Sequence, residues 1–199
     1  MKKVRYLTYD FQMQDLVKLV FEKKGKILVP AFEHGRILVR ETHNTEQSTK
    51  LAGLFLLKRP QDEEQQASHI LGEGGDWQLH QESYGAMTLD WSLLDLDIAS
   101  FGVFIKSSEQ CKGYGTVLMN AGAKHGRSVG VKSFKGTQLL DGDNYRREKF
   151  YKDLGMPKGD FGKYNVCAEV NNPKLNQIKL TENESAQEIW NELAKAKGV

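Results

Sequence analysis

"EQCKGYGTVLMN" (Glu109–Asn120) sets two glycines, Gly113 and Gly115, at the mouth of a stretch with helical spacing. Glycine is about 1 kcal/mol poorer than alanine inside a helix, so the pair answers a need other than helix propensity. Either the chain makes a bare turn here, or its backbone must come close to a ligand. Successive N–H groups from Cys111 to Thr116 can point into one concavity at a helix N-terminus, which suits an anion such as pyrophosphate. Two phosphate-binding loops do not fit. A Walker loop needs Lys-Ser/Thr after its last glycine, whereas Gly115 is followed by Thr116-Val117. A dinucleotide fingerprint needs a third small residue where Leu118 stands.

Charge is divided along the chain in a way that bears on this loop. The formal net charge is only +2. Between Lys106 and Lys163, however, twelve Lys/Arg face six Asp/Glu, leaving sixteen basic and twenty acidic residues elsewhere. The basic half is the half that carries the glycines, as an anionic ligand would require. It lacks the interleaved aromatic and basic strand pattern of nucleic-acid readers, which argues against nucleic acid as partner. At 199 residues, 39% hydrophobic and 27% charged, the chain fits a single globular domain with an insertion. Two cysteines exclude a disulfide scaffold, and no apolar run reaches the ~20 residues of a membrane span. A cytoplasmic setting is expected. Five histidines without paired ligand spacing give no case for a metal.

Around the loop, local patterning predicts a mixed α/β chain. Lys3–Tyr9 alternates as a strand, and Asp10 is placed to cap a helix from Gln12 to Lys24 closed by Gly25. "KILVPAFEHGRILVRE" predicts two strands around a turn at His34-Gly35, and "KLAGLFLLKR" a third. Residues 61–76 are polar, then glycine-rich, and predict an exposed loop or a loop with one helical turn, with Glu73 and Asp76 as candidates to attract a cationic substrate. "WQLHQE" predicts a strand, and "LLDLDIASFGVFI" a long one with Gly102 at a bulge or close approach. Residues 59–94 as a whole are expected to be an insertion. Val117, Leu118, Ala121 and His125 keep helical spacing over Thr116–Ser128; "VKSFKGTQLL" then predicts a strand. Asn144 can cap a helix that ends at Leu154-Gly155, and "KYNVCAEV" predicts a last strand. Thr181 and Glu184 form a capping box for a C-terminal helix over 181–197. Trp77, Trp91 and Trp190 are expected to pack in the core.

Q-x-x-G-x-G between a strand and a helix, here Gln110, Gly113 and Gly115, resembles the acyl-CoA pyrophosphate loop of the GNAT acyltransferase superfamily. "SEQCKGYGTVLMN" is closely similar to that loop in the superfamily's histone acetyltransferases. A second element follows in order. Asn144, Phe150, Tyr151, Leu154 and Gly155 resemble the family's N-x-x-A-x-x-h-Y-x-x-h-G-F, with Arg147 at the small position and Met156 at the Phe. The resemblance covers residues 94–170 and implies a mostly antiparallel central sheet flanked by helices, with two strands splayed at a cofactor cleft. It further implies that pantetheine pairs with the backbone of Val103, Phe104 and Ile105. Pyrophosphate would then lie on Gln110, Cys111, Lys112, Gly113, Tyr114, Gly115 and Thr116. Asn144 would contact the pantetheine arm, and Tyr151 would protonate the departing thiolate.

The activity so implied is transfer of an acetyl group from acetyl-CoA to a primary amine by direct attack. The rival is a catalytically inactive acyl-CoA-binding module that acts through a protein partner. An amine with a pKa near ~10 must lose a proton before it attacks. The histone enzymes carry a glutamate for this at the position of Ala99, so their mechanism does not carry over whole. Asp97 and Asp95, two residues apart on the predicted strand, are the candidates to take the proton; Glu82, His80 and His34 are weaker ones. Cys111 has no Cys-His-Asn pattern around it and is a spacer, and Cys167 reads as a core residue. The acceptor amine, the acyl length and the oligomeric state, a homodimer included, stay open.

Overall fold

Burial is nearly continuous through the middle of the first strands because their side chains point in turn to two covered faces. The computed structural model describes residues 2–25, 32–58, 62–72, 75–137, 144–156 and 165–199. β1 (Lys2–Gln12), β2 (His34–Asn44), β3 (Thr49–Leu57), β4 (Ser83–Ser92) and β5 (Ile98–Ile105) pair antiparallel in sequence order. β6 (Ser133–Thr137) then joins β5 in parallel, and β7 (Asn165–Glu169) closes that edge antiparallel. A two-residue β8 (Thr181–Glu182) lies beside β1, giving one sheet of order β7-β6-β5-β4-β3-β2-β1-β8.

Leu7, Val39, Leu54 and Leu89 face one core, with residues of α1 (Met13–Lys24) and α4 (Tyr114–Ser128). Their strand neighbours Tyr6, Leu38 and Phe55 face a second core under α2 (Glu63–Gly72), α3 (Asp76–Gln81) and α6 (Glu184–Lys197). α5 (Asn144–Asp153) sits on the first side, where Phe150 and Tyr151 pack against the core. Arg36 joins the second layer to the sheet: it donates to Asp10 at 2.6 and 2.8 Å and to Glu63, which also accepts from the Trp190 indole N–H.

Several sequence expectations are corrected here. Asp10 caps no helix; it is a strand residue held by Arg36 and by Asn183 at 2.8 Å, and α1 begins after Gln12 with no side-chain cap. The turn expected at His34-Gly35 is the start of β2, and residues 26–31 lie outside the described ones. The loop expected over 61–76 holds α2, whose buried stripe includes Glu63 and Gln66, so its polarity hid its period. "WQLHQE" is helix α3, with Leu79 buried and Trp77 68% exposed, not in the core. Asp76 is paired with Arg40 at 3.0 Å, while Glu73 lies outside the described residues. Residues 59–94 are no mere insertion, because β4 occupies the middle of the sheet between β3 and β5. The long strand predicted from Leu93 starts only at Ile98, since Asp97 N–H turns back to the Asp95 carboxylate at 2.9 Å. At the C-terminus Asn183, not Thr181, caps α6 by accepting from Ala186 N–H at 3.0 Å. Of the strand predicted over 131–140, the described part is Ser133–Thr137; residues 138–140 lie outside it.

Candidate functional site

β5 and β6 part company halfway along. Their parallel pairing runs from Ile98–Ser133 to Phe101–Gly136, and Thr137 is not paired with Gly102. Beyond the fork, Gly102–Ile105 keep β4 on one side, in unbroken register to Ile105–Gly85, and have no strand on the other among the described residues. The bulge expected near Gly102 is therefore absent. The irregularity lies one strand away, between Leu56 and Leu57 in the β3–β4 ladder. It brings Tyr84 onto the α4 side, where its ring stacks on Tyr114 with centroids 5.2 Å apart.

The free edge of β5 runs into the glycine stretch. A short 3-10 turn at Ser107–Glu109 leads to Cys111 and Gly113, both left-handed at φ 64° and 84°. α4 starts at the next residue, and the first main-chain acceptor bonds in this turn are those of Thr116 and Val117 N–H to the Gly113 carbonyl. No N–H from Cys111 to Gly115 has an acceptor among the described residues. Open donors at a helix N-terminus are chemically suited to an anion. The side chains differ among themselves. Gln110 is exposed, donates to the Ile105 carbonyl at 3.4 Å and accepts from Arg146 at 3.0 Å. Lys112 is paired with Glu109 at 2.8 Å. Tyr114 is 3% exposed and faces the core, with burial pushing its phenol up to about 12. Cys111 is an exposed free thiol and Cys167 is half-buried.

α5 covers the fork. The Tyr151 ring lies 6.1 Å from that of Phe101, the last β5 residue paired with β6, and 5.1 Å from Phe150. Burial raises its phenol pKa, with Arg147 pulling the other way, so the proton is held at neutral pH. Phe150 reaches the loop itself: a Cβ on Gly115 would stand 3.0 Å from its ring. The backbone of Asn144 opens α5, while its side chain lies outside the described part. Val103 and Ile105 are half-buried toward α4, whereas Phe104 is 62% exposed on the opposite face. The fork, the loop, Val103–Ile105 and Tyr151 thus come together. Asp97 does not join them. It precedes the far end of β5, solvent-exposed and paired with Lys132 at 2.6 Å. Ala99 is fully buried.

Sequence reading gave no hint of Arg146 as the partner of Gln110, because an exposed arginine on a charged helix carries no pattern. The Tyr84–Tyr114 stack was equally hidden, since it depends on a bulge in a strand the local pattern did not predict. Among the described residues no His, Cys, Asp and Glu group could hold a metal, and no helix is long and apolar enough to cross a membrane.

No family model and no curated protein matches the sequence. Among solved structures, the chain is similar to the GNAT domain of S. lividans PAT, at 15% identity and a TM-score of 0.43, over 84% of this chain and 90% of that one. The N-acetyltransferase PseH of Campylobacter jejuni, in complex with acetyl coenzyme A, is 18% identical at a TM-score of 0.38, over 61% and 68%. GCN5 of Tetrahymena is 16% identical at 0.38, over 61% and 69%. Similarities this low carry no weight on substrate or activity, and the fold assignment rests on the chain's own strand order. An antiparallel run from β8 to β5, one parallel step to β6 and a glycine loop at that step make a mixed, mostly antiparallel sheet flanked by helices, the architecture that the sequence resemblance implies.

Proposed function

We propose that the chain is an N-acyltransferase that moves an acetyl group from acetyl-CoA to a primary amine by direct attack. The observation that carries this reading is the fork: a strand edge with no partner among the described residues leads straight into five main-chain N–H groups with no acceptor among them. An extended chain of amides ending in a pyrophosphate matches both. In this reading Val103, Phe104 and Ile105 bind the pantetheine arm through their backbone. The open amides from Cys111 to Gly115 take the pyrophosphate, while those of Gln110 and Thr116 are bonded to the Ser107 and Gly113 carbonyls and frame the loop, and Asn144 assists from α5. A main-chain N–H on the free edge would stabilise the oxyanion formed as the amine adds to the thioester carbonyl. Collapse of that adduct expels the thiolate, and Tyr151, protonated and beside the fork, donates the proton. The amine's own proton leaves to water or to a group supplied with the acceptor. Asp97, exposed and paired with Lys132, is a poor choice for it.

A second reading, an acyl-CoA-binding module without catalysis, is favoured by one observation. Ala99 is buried where the similar histone enzymes have a glutamate, so the carboxylate of those enzymes is missing at this position. One assay separates the two. Acetyl-CoA turnover is followed by release of free CoA thiol across a panel of small amines, peptides and aminoacyl-tRNA, beside thermal shift with acetyl-CoA alone. Turnover with any acceptor establishes the enzyme; a thermal shift without turnover favours the module. Gly115→Glu puts a carboxylate into the loop, and an unchanged shift in that folded variant overturns the cofactor assignment.

A further inference from the structure

The far end of α4 holds a second set of chemistry-bearing residues that the proposed reaction does not use. A cavity of about 360 Å³ lies beside its last turns, lined by Arg5, Glu41, Trp91, His125 and Glu182 among others. His125 is twelve residues beyond Gly113, about 18 Å along the helix at ~1.5 Å per residue. The cavity is therefore separate from the glycine loop. Its floor is a buried polar chain. The Tyr9 hydroxyl lies 3.3 Å from His125 Nδ1, His125 Nε2 lies 3.3 Å from Glu41 Oε2, and Lys50 Nζ donates to Glu41 Oε1 at 2.8 Å. Tyr9, Glu41, Trp91 and His125 are each at least nine-tenths buried.

Trp91 Nε1 has no hydrogen-bond partner among the described residues, and the Trp91 and His125 rings meet at this cavity with centroids 5.8 Å apart. Lys50 and Glu41 cancel each other. Arg5 and Glu182 form no side-chain ion pair among the described residues, so the lining offers one unpaired cation and one unpaired anion. Leu7, Leu93 and Val129 complete it with apolar surface.

We infer that this cavity binds a small zwitterion with a carboxylate and an ammonium group, of the size of a free amino acid. The carboxylate pairs with Arg5, the ammonium pairs with Glu182, and the aliphatic part packs on Leu7, Leu93 and Val129, with the Trp91 ring in the wall beside it. The volume is at the small end of the ~300–1,000 Å³ range of ligand pockets.

The test uses the full chain labelled with nitrogen-15 and reads the Trp91 indole N–H resonance. Trp91→Phe identifies that signal, or sequential assignment does so if the variant fails to fold. The probes are the common free amino acids at millimolar concentration, with acetate and methylamine as single-charge controls. The expected result is a saturable shift of that signal with at least one amino acid, weakened about tenfold in Arg5→Gln and in Glu182→Gln, each losing one charge-assisted contact. Both positions are at the surface of the cavity, so these variants keep the fold. The proposal is overturned if no amino acid moves the signal, if acetate or methylamine binds as tightly as the best amino acid, or if neither variant weakens binding. Tyr151→Phe should leave this binding unchanged, which separates its outcome from that of the acyltransferase reading.

Discussion

The two ends of α4 handle polar groups near the core in opposite ways. At its N-terminus, main-chain donors from Cys111 to Gly115 have no acceptor among the described residues, and water can serve them. At its C-terminus, Tyr9, His125 and Glu41 are sealed in the core and depend on one another. Open donors on a turn cost little in the free protein, so that end can be specialised for binding. A buried ionised cluster gains or loses stability with every change of charge. The N-terminal end should therefore respond to substitution in function, and the C-terminal end in stability.

The sharpest break of that contrast is Tyr151→Phe, which removes one hydroxyl above the fork and keeps the ring packed on Phe101 and Phe150. General acid catalysis contributes roughly 10²–10⁴-fold, so kcat should fall by about that factor while acetyl-CoA affinity and melting temperature hold. Steady-state kinetics and calorimetry on one preparation check it. Wild-type kcat with chemistry rate-limiting would take Tyr151 out of the mechanism.

Next in size is the pH dependence of the sealed end. The His125 imidazole, and then Lys50, hold the Glu41 carboxyl down at about 2 against the opposing push of burial. A carboxyl depressed in the folded state adds stability that is fully present above its unfolded value of 4.5 and is lost as pH falls toward 2. The amount is up to about 3 kcal/mol. Urea unfolding of wild type and Glu41→Gln should therefore converge between pH 4.5 and 2. Parallel curves would mean that Glu41 is not the group responsible.

Gly113→Ala tests whether backbone shape at the open end can be changed. Its φ of 84° is left-handed, and a new Cβ would meet Leu16 Cδ1 at 2.6 Å and Val20 Cγ2 at 2.8 Å. The left-handed conformation alone costs a non-glycine residue about 1–2 kcal/mol, to be read as a lower denaturation midpoint. The smallest effect belongs to Arg146→Met. Its contact with Gln110 is exposed, so stability should change by less than about 0.5 kcal/mol. A loss several times larger would show that α5 is held to the loop chiefly through that arginine.

Local pattern carried the reading furthest where one residue constrains its near neighbours. Gly25 as the left-handed end of α1, and the spacing of Val117, Leu118 and Ala121 along α4, needed nothing from the rest of the chain. Local pattern misled where two devices compete for one residue. Asp10 has the chemistry of a helix cap, but a half-buried Arg36 from the next strand makes a stronger partner. Thr181 has the spacing of a capping box, but pairing beside β1 claims it, and Asn183 takes the cap.

By itself the sequence determined the glycine loop, the helix behind it and the register of Asn144, Tyr151 and Gly155, because each is a matter of spacing within a few turns. The tertiary structure alone decided the place of β4 in the sheet, the fork between β5 and β6, and the bulge that brings Tyr84 onto Tyr114. It alone also brought Arg5, Glu41, Trp91, His125 and Glu182 to one cavity. Those five residues come from five different elements. Contacts across such separations are set by sheet order and packing, and they leave no periodic trace in the chain.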